Sequence, residues 1–136
     1  MKTIFIIVLS TFVIFMAFSC KKTNPSEPVY QNRVIVGDWQ DTTSNGTMNP
    51  NDSMCTCNTP LVSVEVERAL ANGMVRVDII ELTSKDTIYT QIARGNGNYF
   101  RLTNINTKPG NYIAYGFALN PDTVWLKPQS FVLYKP

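Results

Sequence analysis

The chain has no histidine, and only 16% of its 136 residues are charged. Without imidazole there is no Ser-His-Asp triad, no HExxH zinc site and no side chain that titrates unperturbed near neutral pH. An excess of one charge is missing too. With Lys2 set aside in the leader described below, eleven basic side chains stand against ten acidic ones. A protein that neutralises nucleic-acid phosphates needs a basic stripe, so the balance argues against nucleic acid as a partner. No uninterrupted apolar run reaches the roughly 18 residues that a transmembrane helix takes. There is no internal repeat and no sustained 3.6-residue period.

What is present begins with a leader. Lys2 precedes an apolar run, Ile4 to Phe18, broken only by Ser10 and Thr11. As a helix this run spans ~22 Å, short of the ~30 Å hydrocarbon core, which fits a removable signal better than an anchor helix. It ends Ala17-Phe18-Ser19-Cys20, followed by Lys21-Lys22. This resembles the lipobox of bacterial lipoproteins, with bulky Phe18 where that family often has a small residue. The resemblance implies a signal peptide over 1–19 and cleavage before Cys20. That cysteine would then carry a diacylglyceryl group and an N-acyl chain, holding the protein in the cell envelope at the outer membrane or periplasmic face. The other reading is an ordinary signal peptide with Cys20 inside the mature chain. Residues 20–32 hold two prolines and no hydrophobic period, as a flexible tether would. The twelve residues after Cys20 would hold a domain ~20 Å from its anchor.

From Arg33 to Pro136 the pattern is that of one all-β domain. Val62, Val64 and Val66 alternate with polar residues, as do Val75, Val77 and Ile79. Asn72-Gly73 between them predicts a two-residue hairpin turn, which would pair Val66 with Ile79 and set Glu67 opposite Asp78. Further strands are predicted over 87–94, 98–105, 111–119, 123–127 and 130–135. Their connectors, Ser84-Lys85-Asp86, Gly95-Asn96-Gly97, Lys108-Pro109-Gly110, Asn120-Pro121-Asp122 and Lys127-Pro128-Gln129, have turn chemistry. With a first strand near 33–42 the count is eight, and tight turns favour an antiparallel meander that closes into a small barrel. Gly37-Asp38-Trp39, ahead of the long connection 43–60, resembles the Gly-x-Trp signature of lipocalins. That resemblance implies an eight-stranded barrel with Trp39 at its closed end and a small apolar ligand inside. Gly95-Asn96-Gly97-Asn98-Tyr99-Phe100, with Lys108-Pro109-Gly110-Asn111-Tyr112, resembles carboxypeptidase-regulatory-like and transthyretin-like domains, which implies a β-sandwich with a structural or interaction role.

Two groups of residues are candidates for function. Cys55 and Cys57 lie in the long connection with Met54 beside them and Met48 nearby. In an oxidising compartment the two thiols pair. In an extended chain their α-carbons are ~6.5–7 Å apart, near the limit for a disulfide, so the bond requires a tight turn or strain. Alternatively the four sulfurs form a soft site for a metal such as Cu(I). The second group is aromatic: Tyr112, Tyr115, Phe117, Trp125 and Phe131, with Trp39 upstream. Strand 111–119 is apolar on both faces, so both are buried or one lines a pocket or partner surface. Small residues on one row leave space for an apolar ligand or a stacked ring. The carboxylates Glu65, Glu67, Asp78 and Glu81 build no deep cleft, so no catalytic pair is assigned. The expectation is a non-catalytic lipoprotein without a cofactor. It binds a small apolar or amphipathic molecule in a barrel interior lined partly by these aromatics. The alternatives are a structural or interaction module of an envelope complex and a copper- or thiol-handling protein.

Overall fold

The computed structural model describes residues 29–44 and 46–136. The leader, Cys20 and most of the tether therefore lie outside the described residues. Seven strands follow in order: β1 (Arg33–Gly37), β2 (Ser53–Cys55), β3 (Leu61–Glu81), β4 (Thr87–Asn104), β5 (Gly110–Leu119), β6 (Val124–Trp125) and β7 (Gln129–Tyr134). A 3-10 turn, Trp39–Asp41, follows β1. Asp38 caps it by accepting from the Gln40 N–H at 2.7 Å, while Asp41 accepts from the Asp38 N–H at 2.8 Å. The strands form one nearly closed, barrel-shaped sheet ordered β1-β3-β5-β7-β2, with β4 on the other side of β3 and β6 beside β5.

The all-β, barrel-like expectation holds, but the strands are assembled differently from a meander of eight. Asn72-Gly73 is not a hairpin turn, because β3 runs through it as one strand of 21 residues. Gly95-Asn96-Gly97 lies inside β4 in the same way. The two signals face each other across the β3–β4 ribbon, where the pairing shifts register around Leu70↔Gly97 and Gly73↔Gly95. Asn72 sits at φ 52 and Gly97 at φ 110, and the Asn72 N–H donates to Asn96 Oδ1 at 2.6 Å. A Cβ on Gly73 would come within 2.5 Å of the Leu70 Cβ, so Leu70 can fold over the bulge only because residue 73 lacks a side chain. The turn residues thus make a corner in a continuous ribbon. The actual β3–β4 turn is the connection 82–86, where Lys85 adopts φ 66.

The bend is large. Twelve residues of straight strand span ~40 Å, yet Gln91 and Thr103, twelve apart on β4, are hydrogen bonded. Thr103 donates to Gln91 Oε1 from both its N–H and its hydroxyl at 2.9 Å. The Tyr89 hydroxyl bonds to the same Gln91 oxygen and lies 2.8 Å from Thr103 Oγ1. The two halves of the ribbon therefore face one another across one core. Val62, Val64 and Phe100 of one half, with Val34 and Val36 of β1, meet Val75, Val77 and Ile79 of the other, with Ala114 of β5 and Phe131 of β7, all buried.

Closure also requires partners for the free edge of β1. The Val34 N–H donates to the Lys127 carbonyl at 3.0 Å, and the Lys127 N–H to the Asn32 carbonyl at 2.8 Å. Gln129 then acts as a stand-in peptide group. Its Oε1 accepts from the Val36 N–H at 2.7 Å, and its Nε2 donates to the Val36 carbonyl at 3.0 Å. The long connection also holds an unforeseen strand, β2, which pairs parallel with β7 and makes the sheet mixed.

Candidate functional site

The two outer faces of the folded sheet differ. On the β1 side, Ile35, Ser63 and Glu65 are buried even though they point away from the main core. The connection after β1 packs there, with Met48 pressed on Gly37. Glu65 is neutralised by Arg33, whose Nε lies 2.9 Å from Glu65 Oε2. On the β5 side nothing comparable lies over the sheet among the described residues, and large apolar side chains remain exposed.

Strand register fixes their arrangement. Arg76 pairs with Ile92 on one side and Phe117 on the other, and Phe117 pairs with Trp125. Directly paired residues share a sheet face, so Ile92, Arg76, Phe117 and Trp125 form one row across four strands, ~14 Å wide. Trp125 is 72% exposed and Ile92 50%. The Phe117 and Trp125 rings meet edge to face at 5.7 Å. The next row is Thr90, Asp78 and Tyr115, with Tyr115 36% exposed. Asp78 itself is buried and held in place. Arg76 Nε approaches Asp78 Oδ2 at 3.1 Å, Arg76 Nη2 donates to Asp78 Oδ1 at 3.1 Å, and the Thr90 hydroxyl donates to the same oxygen at 2.6 Å.

Local sequence explains why Trp125 stands out. Pro121 and Pro128 flank β6, and Leu126 points inward with its N–H bonded to the Gly116 carbonyl at 3.1 Å. Alternation then turns Trp125 outward. Beneath the patch, a Cβ on Gly116 would lie 1.9 Å from the Arg76 carbonyl oxygen, so only glycine allows β5 this close to β3.

The predicted aromatic set is therefore divided between the two faces of the sheet. Tyr112 and Phe131 are buried and stacked at 5.4 Å in the core, where they fill space. The Tyr112 hydroxyl donates to the Lys108 carbonyl at 2.7 Å. Burial, reinforced by the Glu81 charge, raises its pKa. Tyr115, Phe117 and Trp125 are on the opposite face. Trp39 lies in the 3-10 turn, and its side chain falls outside the described residues. The small residues on the Tyr112 row of β5 include Ala114 and Ala118, which are fully buried in the core. Arg76, Ile92 and Thr90 were not singled out by sequence, because only the β3–β4–β5 register shows them to be neighbours of the rings.

The sulfur residues are also separated. Cys55 and Cys57 form a disulfide with α-carbons 5.1 Å apart, made short by the turn after β2. Met54 is buried in the main core and Met48 beneath Gly37. The two cysteine sulfurs are thus bonded to each other, and the four sulfurs are not gathered in one place. Among the described residues, no group of three or more Cys, Asp or Glu side chains is placed to hold a metal ion. Glu67 does not face Asp78, since the hairpin that would have paired them does not form.

The chain matches no protein-family model, and a search of curated proteins gave no match.

Proposed function

We propose that the protein is an envelope lipoprotein, anchored through acyl chains on Cys20, whose domain acts by docking a second envelope protein on the Ile92–Arg76–Phe117–Trp125 face. The exposed row of rings and guanidinium carries this reading. Trp, Tyr and Arg dominate the energetics of protein interfaces, and a contiguous exposed apolar patch on a small domain marks an interaction surface. The row is preorganised, because Asp78 holds Arg76 and β5 holds the rings. Binding there costs little side-chain ordering. A small-ligand reading would need room in the interior, where Tyr112 and Phe131 are packed against each other. The reading involves docking without catalysis.

A photo-crosslinking residue at position 125 in intact cells, compared with one at exposed Arg68, tests it. One discrete protein adduct is expected at 125 and none at 68. With the captured partner purified, W125A should weaken binding by ~2 kcal/mol or more, about thirtyfold. Equal adducts at both positions, or an unchanged Kd for W125A, would overturn it. The intact mass of the membrane-extracted protein tests the anchor separately, with an acylated chain beginning at Cys20 as the expected result.

A further inference from the structure

We infer that the Cys55–Cys57 disulfide is an exchange site for the thiols of another protein, with Cys57 as the sulfur attacked. This goes beyond the docking reading and uses a different part of the molecule. The two cysteines are unequal: Cys55 is buried at the end of β2, whereas Cys57 is exposed in the turn that follows. A polar surface cleft of about 430 Å³, lined by Thr56, Cys57, Asn58, Asn106 and Thr107 among others, opens at Cys57. An incoming chain segment therefore has room to reach that sulfur. The Cys57 N–H donates to Cys55 Sγ at 3.0 Å, which places a hydrogen-bond donor on the sulfur that would leave. Donation to sulfur favours its thiolate and makes it a better leaving group.

The bond has little structural work to do. It closes a ring of three residues, and so small a loop removes little entropy from the unfolded chain. The segment is secured on both sides without it. Met54 and Cys55 pair with Leu133 and Tyr134, the Thr56 N–H donates to the Tyr134 carbonyl at 2.9 Å, and Asn58 Nδ2 donates to Asp38 Oδ2 at 2.9 Å. Reduction can therefore leave the loop in place.

The step balances with a dithiol substrate. A substrate thiolate attacks Cys57 Sγ, a mixed disulfide forms, and the electron pair of the broken S–S bond leaves on Cys55 Sγ. The second substrate thiolate then attacks the substrate sulfur of the mixed disulfide and releases the Cys57 thiolate. The substrate dithiol has lost two electrons, and the protein disulfide has gained them. Two protons pass through solvent from the substrate thiols to Cys55 and Cys57.

Reduced glutathione is the probe, added to the full-length protein in detergent, with acid quenching and peptide mapping of the mixed disulfide. The adduct is expected on Cys57 with at least about tenfold preference over Cys55, since attack follows access. In the single variants, the free Cys57 of C55S should react with a disulfide reagent at least about tenfold faster than the free Cys55 of C57S. Full reduction should move the melting temperature by less than about 5 °C. An adduct on Cys55, an even partition, a bond that withstands millimolar glutathione, or a domain that unfolds on reduction would each overturn the assignment.

Discussion

At the scale of single residues, Glu81 shows how local geometry sets chemistry. It ends β3, and its carboxylate accepts from the Thr83 N–H at 3.1 Å and the Ser84 N–H at 2.6 Å. These bonds, with Ser84 contributing most, bring its pKa from 4.5 down to about 2. The carboxylate form is thus preferred in the fold, and the stability it contributes is present above pH 4.5 and lost as pH falls towards 2. E81Q should therefore show a shallower loss of stability than the parent between pH 4.5 and 2, measured by urea unfolding across that window. Equal acid sensitivity would place the effect elsewhere. The sequence marked Glu81 as one of four carboxylates near two strands. Its role as the cap of the β3–β4 turn depends on which of the candidate turns is used, and composition does not decide that.

At the scale of elements, the lesson lies in Asn72-Gly73 and Gly95-Asn96-Gly97. Each was legible as a place where the backbone adopts unusual dihedrals, and the positive φ of Asn72 and Gly97 agrees with that. What each feature becomes is decided by its counterpart. Two bend-prone segments opposite each other let the ribbon turn as a unit while its pairing resumes on either side. Hairpins at both sites would have replaced these long-range pairs with short-range ones. Corner-specific strain gives a test. G97A has open space for its Cβ but φ 110, and should cost ~1–3 kcal/mol. G95A meets only an ordinary contact with Phe100 at 3.5 Å and should cost less than about 0.5 kcal/mol by chemical denaturation. Similar values for the two would remove the argument for a strained corner at Gly97.

At the scale of the whole molecule, closure depends on a side chain. Gln129 belongs to a segment with turn chemistry, yet it is buried and makes four bonds. Two go to Val36, one to the Asn51 carbonyl at 3.1 Å and one to Asp52 Oδ1 at 3.1 Å. Removing it strands the Val36 N–H in a buried site, while the Val36 carbonyl keeps the Asn51 N–H at 2.9 Å. Q129A should cost ~2–4 kcal/mol, combining an unsatisfied donor with the lost packing, against less than about 0.5 kcal/mol for S130A on the exposed side. Urea unfolding of the two variants checks this, and a neutral Q129A would mean that water replaces the glutamine. The sequence by itself determined the β character, because alternation of side chains follows directly from the pleat and needs no knowledge of partners. It also determined where the backbone departs from extended geometry, since glycine, asparagine and proline act through their own dihedrals. Only the tertiary structure decided that two turn signals become one corner, that Tyr112 and Phe131 fill the core while Tyr115, Phe117 and Trp125 face out, and that Arg76 joins them. Those outcomes depend on strand register and on which face each half of the ribbon presents to the other. These are relations between residues far apart in the chain, and local preference does not encode them.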